Sequence, residues 1–180
     1  MTTTVLTTER IRLRRFTPDD VTLLHRLDAD PEVMAYLTGG GATPLEEIRE
    51  QLTGYLDVYE KHDGPGHWPP RNSTARSSVG SPSNRVIRAW NWDGLRRESW
   101  GKGYAAETAI ALVDAAFTRF GAERVWAQTM AVNRRSRRVM ERTGLRYIRT
   151  FHPTFDDPIP GTEHGEVEYA ITRQQWRRQA

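Results

Sequence analysis

The sequence predicts an α/β domain built on a mixed sheet. Strict alternation of apolar and polar residues marks strands near 9–16, 123–131 and 166–172, and apolar residues at steps of three and four mark helical faces over 45–59 and 109–120. Read along the 180 residues, the order is β-α-α-α, a segment without periodicity, then α-β-α-β-β. A chain of this length is expected to form a single domain over residues 1–180 with room for a sizeable core.

Each element has its own signal. Ile11 and Leu13 alternate with Arg10, Arg12 and Arg14, the pattern of a half-buried strand over 9–16. Thr17-Pro18-Asp19-Asp20 supplies an N-cap, a proline suited to the first helical position and acids for the positive helix end, and Val21, Leu24 and Leu27 follow on one face. Asp30-Pro31 ends that helix, and Val33, Met34, Tyr36 and Leu37 begin a short second one. Thr43-Pro44-Leu45-Glu46 reads as a capping box before a longer helix whose stripe is Leu45, Ile48, Leu52, Tyr55, Leu56 and Tyr59.

After Gly101 and Gly103, the residues Ala109, Leu112, Val113, Ala116, Phe117 and Phe120 form a face that Gly121 terminates. Val125, Ala127 and Thr129 then alternate with Trp126, Gln128 and Met130. Asn133 caps a helix bearing Val139 and Met140 that stops at Gly144. Residues 145–151 and 166–172 read as the last two strands, with Val167, Tyr169 and Ile171 on one face.

Composition narrows the function. No cysteine is present, which excludes a disulfide framework, a thiol nucleophile and a cysteine-ligated metal site. No apolar run reaches the length of a membrane span, and the N-terminal segment lacks the hydrophobic centre of a signal peptide, so a cytoplasmic protein without a membrane partner is expected. The net charge is +3 and all but two of the 26 basic residues are arginine. The charges read as spread along the chain with no basic block, so no nucleic-acid partner is expected. No metal site is read from the histidines: His152 and His164 lack ligand spacing and fall in loops.

The segment that carries chemistry is Arg96-Arg97-Glu98-Ser99-Trp100-Gly101-Lys102-Gly103-Tyr104-Ala105-Ala106-Glu107. It is a glycine-bearing turn opening directly into a helix. Gly101 and Gly103 allow the backbone to approach a ligand and turn its N–H groups toward it. The helix N-terminus adds partial positive charge, and Arg96, Arg97 and Lys102 add full charges. The turn is not a phosphate-binding Walker loop, because Gly103 follows Lys102 where serine or threonine would stand.

This string resembles the acetyl-CoA loop of the GNAT acetyltransferases, Q/R-x-x-G-x-G/A, with Trp100 in place of the first residue and Ala105 in the last. A second string, Val132-Asn133-Arg134-Arg135-Ser136-Arg137-Arg138-Val139-Met140-Glu141-Arg142-Thr143-Gly144-Leu145, is similar to N-x-x-S-x-x-V-x-E-K-x-G-F/L of the Rim-type branch, which acetylates ribosomal-protein N-termini. The resemblance extends over roughly residues 5–64 and 95–176 and implies a mixed, mostly antiparallel sheet flanked by helices. It implies acetyl-CoA as cosubstrate and direct acetyl transfer to a primary amine, either a protein N-terminus or a small amine. The implied cofactor contacts are Leu95, Arg96, Arg97, Trp100, Gly101, Lys102, Gly103, Tyr104, Ala105, Asn133 and Ser136. Ser136 is the implied proton donor to the leaving thiolate, with Tyr104 a second candidate. For Asn133 a capping role and a ligand contact stand side by side. A monomer or a homodimer fits equally.

Residues 69–94 depart from this resemblance. They have no periodicity, and Pro69, Pro70 and Pro82 each lack a ladder donor, so the stretch over 69–90 is expected to be irregular and the sheet to lack a partner beside 123–131. Where the family carries V-E-L-G, the chain has Trp90-Asn91-Trp92-Asp93-Gly94. Reading each triplet from the last base of the preceding codon forces Glu, Leu and Gly at this place, and forces Ala after Trp68 at the other edge. Two compensating frame shifts would account for both; a divergent insertion is the alternative. Loss of that strand would leave an acyl-CoA-binding protein without catalysis, the alternative function.

Overall fold

The structure, a computed structural model, describes residues 4–61, 86–88 and 96–179. These fall into two compact units, one formed by residues 4–61 with 96–104, the other by residues 86–88 with 105–179. Among the described residues no helix is long and apolar enough to cross a membrane.

The first unit opens with a hairpin. β1 (Thr4–Thr7) pairs antiparallel with β2 (Arg12–Arg14). The single strand expected over 9–16 is therefore corrected: Thr8 turns the chain, its N–H donating to the Ile11 carbonyl at 2.8 Å and its hydroxyl accepting from the Ile11 N–H at 3.0 Å. Those local bonds hold residues 8–11 in a bend that the alternation of Ile11 and Leu13 does not reveal. A 3-10 turn (Pro18–Asp20) leads into α1 (Val21–Asp28), and Asp30 accepts from the Glu32 N–H at 3.0 Å to start α2 (Pro31–Met34).

The capped segment forms α3 (Leu45–Lys61). Ile48, Leu52 and Tyr55 of α3 pack with Leu24 of α1, flanked by Phe16, Val21 and Leu56. Each such aliphatic or aromatic side chain contributes about 2 kcal/mol through area removed from water. Leu45, expected within this stripe, is 37% exposed, because the first residue of the helix precedes the turn that meets α1.

An ion pair ties the hairpin to the start of α1. Both guanidinium Nη atoms of Arg14 donate to the Asp20 carboxylate at 2.6 Å, and the Thr17 N–H donates to the same carboxylate at 2.8 Å. The Arg14 bonds outweigh the cost of burying the acid and draw the Asp20 carboxyl down to about 2 from its ordinary 3.8.

The second unit is a four-stranded sheet in the order β3-β4-β6-β5: β3 (Val86–Arg88), β4 (Arg124–Met130), β5 (Arg146–Phe151) and β6 (Glu166–Thr172). β3 runs parallel to β4, while β6 is antiparallel to both β4 and β5, so the sheet is mixed and mostly antiparallel as expected. The expectation that 69–90 would leave β4 without a partner is corrected for three residues, since Val86, Ile87 and Arg88 pair with Arg124, Val125 and Trp126. Two adjacent β-branched residues favour extended backbone without needing any longer pattern. The rest of 69–94 lies outside the described residues.

α4 (Tyr104–Thr118) and α5 (Arg134–Arg142) complete the unit, and Val113, Ala116 and Phe117 of α4 and Met140 of α5 form one core with Val125, Ala127, Val167, Tyr169 and Ile171 of the sheet. β6 alternates between this core and the opposite sheet face, where Glu168 is only 7% exposed. Glu168 accepts from Arg124 of β4 at 2.7 Å and from Arg149 of β5 at 2.9 Å, tying three strands together. Burial pushes its carboxyl up, and the two arginines reverse this to a net lowering.

A terminal helix, α6 (Arg173–Arg177), was not expected from the sequence, although Thr172 and Gln175 form a capping box that signals it. Its Trp176 indole N–H donates to Asp114 at 2.8 Å and the ring stacks on Phe117.

The Asp20 pair sets a pH dependence. The folded carboxyl titrates below the unfolded one, so the pair stabilises above pH 4 and its contribution is lost as pH falls toward 2, amounting to about 2 kcal/mol at neutrality. Asp20→Asn is expected to lower the melting temperature by several degrees at pH 7, with the gap to wild type closing between pH 4 and pH 2. A gap that persists unchanged into acid contradicts this.

Candidate functional site

In the first unit, residues 96–104 form the head of α4. Arg97–Ser99 make a 3-10 turn closed by Ser99 N–H to Arg96 carbonyl at 2.8 Å and Trp100 N–H to Arg97 carbonyl at 3.0 Å. Gly101 (φ +74°) and Gly103 (φ +82°) then adopt the left-handed conformation that side chains disfavour. Among the described residues, a Cβ at Gly101 would meet nothing within 4 Å, and one at Gly103 only the Arg10 side chain. Space therefore lies open beside both glycines, and backbone conformation is what requires them.

Among the described residues, the N–H groups of Gly101, Lys102, Gly103, Tyr104 and Ala105 find no hydrogen-bond acceptor. The start of any helix leaves such donors. Here they form a run that extends back through the glycine turn, which suits a group rich in anionic oxygens. The residues present fit a pyrophosphate.

The side-chain charges are arranged differently from the expectation. Arg97 is paired with Glu32 of α2 and Arg96 with Glu98, all of them exposed, so neither guanidinium presents an uncompensated charge. Arg96, Arg97 and Glu98 border a cleft with Arg26, Asp30 and Val33, and its lining carries both signs of charge. Trp100, Gly103, Tyr104 and Ala105 are half-buried, while Gly101 and Lys102 are exposed. Leu95 lies outside the described residues. Arg10 is a residue the sequence reading missed: its Nη1 donates to the Lys102 carbonyl at 3.2 Å and its guanidinium lies over the Tyr104 ring at 4.9 Å.

In the second unit, Asn133 and Ser136 belong to the first turn of α5. The buried Asn133 Oδ1 accepts from the Ser136 N–H at 3.1 Å, so the capping role is present. Ser136 is half-buried, and its hydroxyl has no protein partner among the described residues. The same turn is anchored by Arg137, which donates to the Ala131 carbonyl at 3.0 Å and to the Tyr169 hydroxyl at 3.2 Å. Tyr169 in turn donates to Glu141 at 2.9 Å, and burial pushes its hydroxyl pKa up. The Ala131 carbonyl just after β4, a cap, an arginine and a buried tyrosine thus fix where Ser136 sits relative to the sheet.

α5 also corrects the reading of charge. Arg134, Arg135, Arg138 and Arg142 are all exposed along one nine-residue helix, so the arginines do concentrate in a block. Four arginines already stand within residues 134–138 of the sequence, and a count over the whole chain passes over them.

Comparison with known proteins places the chain. The sequence model of the acetyltransferase (GNAT) domain matches residues 10–146. The FsC-acetyl coenzyme A-N(2)-transacetylase of Aspergillus fumigatus is 34% identical over 165 residues, covering 85% of this chain and 69% of that protein. A GNAT-family acetyltransferase from Bacillus anthracis shares the fold with a TM-score of 0.67 at 22% identity, covering 97% of this chain and 99% of the other. The ribosomal L7/L12 alpha-N-protein acetyltransferase RimL, solved with coenzyme A, gives 0.71 at 16% identity over 94% of this chain and 97% of its own. With a family model spanning most of its length and a relative a third identical to it, the chain belongs to the GNAT family of acetyltransferases.

Proposed function

We propose that the chain transfers an acetyl group from acetyl-CoA to a primary amine, with both units acting as one acetyltransferase domain. The observation that carries this is the open run of backbone donors from Gly101 to Ala105 at the head of α4. Gly101, Lys102, Gly103, Tyr104 and Ala105 would hold the pyrophosphate, with Arg96, Arg97, Trp100 and Leu95 beside it and Asn133 and Ser136 toward the pantetheine end. The family match running unbroken from residue 10 to 146 supports a single working domain. The names of the fungal transacetylase and of RimL both specify acetyl transfer to nitrogen, which supports an amine acceptor. RimL, named for alpha-N-protein acetylation, supports the Rim-type branch and a protein N-terminus; the fungal relative keeps the small amine open.

In the reaction the neutral amine nitrogen attacks the thioester carbonyl carbon. The C–N bond forms, the C–S bond breaks, the nitrogen loses a proton to a carboxylate or a water, and the leaving thiolate takes one up. Backbone N–H groups stabilise the oxygen charge that develops meanwhile. Ser136 is the proton donor to sulfur in this reading. Its hydroxyl has no partner among the described residues, and its position is fixed by the Asn133 cap and the Arg137 anchor. Tyr104 is the second candidate; its ring is held under the Arg10 guanidinium.

Acetyl-CoA is expected to raise the melting temperature of the protein, because a ligand that binds only the folded state adds to its stability. Gly103→Val should abolish that shift, since a β-branched residue at φ +82° cannot keep the turn. Protection that survives in folded Gly103→Val would remove the loop from the binding site. With a model primary amine as acceptor, Ser136→Ala should keep acetyl-CoA affinity and lower kcat by at least about tenfold. An unchanged kcat would take Ser136 off the catalytic list, and protection without any turnover in the wild type would favour the non-catalytic acyl-CoA-binding reading.

A further inference from the structure

The turn that presents the amides is held by a residue far outside the motif. Arg10 lies at the bend between β1 and β2, exposed, 92 residues before the loop it touches. Its Nη1 donates to the Lys102 carbonyl at 3.2 Å, its guanidinium carbon lies 4.9 Å from the centre of the Tyr104 ring, and its Nη2 is the atom a Cβ at Gly103 would meet, at 3.6 Å. The planar fork of arginine allows one edge to donate while the face stacks on an aromatic ring.

The peptide between Lys102 and Gly103 is trans and planar, so its C=O and N–H point in opposite directions. Drawing the Lys102 carbonyl toward Arg10 therefore aims the Gly103 N–H to the other side, away from the guanidinium and toward the open side of the turn. Gly103 at positive φ has no side chain to bias that peptide, and a glycine-flanked peptide flips readily unless something holds it.

We propose that Arg10 is a positioning residue for the acyl donor: by holding the Lys102 carbonyl and bracing the Tyr104 ring, it locks the Gly103 N–H in the orientation that receives the pyrophosphate. This rests on the reading that the loop binds acetyl-CoA. Arg10 acts through the peptide and does not touch the anion.

Titration calorimetry of acetyl-CoA into the full chain, repeated at several salt concentrations, tests this for wild type, Arg10→Ala and Arg10→Lys. Arg10→Ala should weaken affinity about tenfold, the size of one charge-assisted hydrogen bond, with a salt dependence parallel to that of the wild type and an unchanged melting temperature. Arg10→Lys, which keeps a cationic donor for the carbonyl but has no planar face to brace the Tyr104 ring, should recover part of the loss. Wild-type affinity in Arg10→Ala overturns the proposal. A loss accompanied by flattened salt dependence also overturns it, because that marks a direct contact with the anion. Failure of the wild type itself to bind acetyl-CoA removes the reading on which the proposal stands, and is distinguished from the other outcomes by the wild-type titration alone.

Discussion

A helix begins with amides that its own turns cannot satisfy, and a protein either caps them or uses them. At α5 the chain caps: Asn133 closes the first turn with its side-chain oxygen. At α4 it does the opposite. Two glycines at positive φ, Gly101 and Gly103, precede it, and the donors from Gly101 to Ala105 find no acceptor among the described residues. The two helix starts differ in what they leave available: the open one would offer an anion site in the proposed function, and the closed one fixes a serine.

Leaving donors open has a conformational cost, since two left-handed residues separated by one are not a preferred path into a helix. The supports found around the turn offset that cost. The 3-10 turn at Arg97–Ser99 leads the chain in, Glu32 holds Arg97, and Arg10 holds the Lys102 carbonyl. The side-chain charges of the loop are largely compensated, so anion binding would rely on backbone dipoles more than on arginine. Backbone dipoles are fixed in direction, which gives selectivity for the shape of a pyrophosphate as well as for its charge.

Much of this was legible in the sequence. The glycine turn, the alternation of β4 and β6, the α3 stripe and the i to i+3 spacing of Asn133 and Ser136 are local patterns, and local patterns survive without knowledge of the fold. What was missed is either short or long-range. β1 and β3 have four and three residues, too few for periodicity to register. α6 has five residues, and its one local signal is the capping box of Thr172 and Gln175. The Arg10 contact spans 92 residues and the Arg97–Glu32 pair spans 65, and no spacing rule reaches that far. The same limit explains why Glu168 reads as one more acid in the sequence, although it bridges three strands between Arg124 and Arg149.

The most direct test of this account compares acetyl-CoA with S-acetyl-pantetheine by calorimetry. The two share the thioester and the pantetheine arm; the first alone carries the adenosine 3′-phosphate and the pyrophosphate that is assigned to the α4 turn. If the open amides are the anchor, removing that group should weaken binding by about two orders of magnitude or more, as expected when several charge-assisted hydrogen bonds are lost together. Equal affinities for the two compounds would contradict the account, because recognition would then reside in the arm and the turn at Gly101–Gly103 would have no part in it.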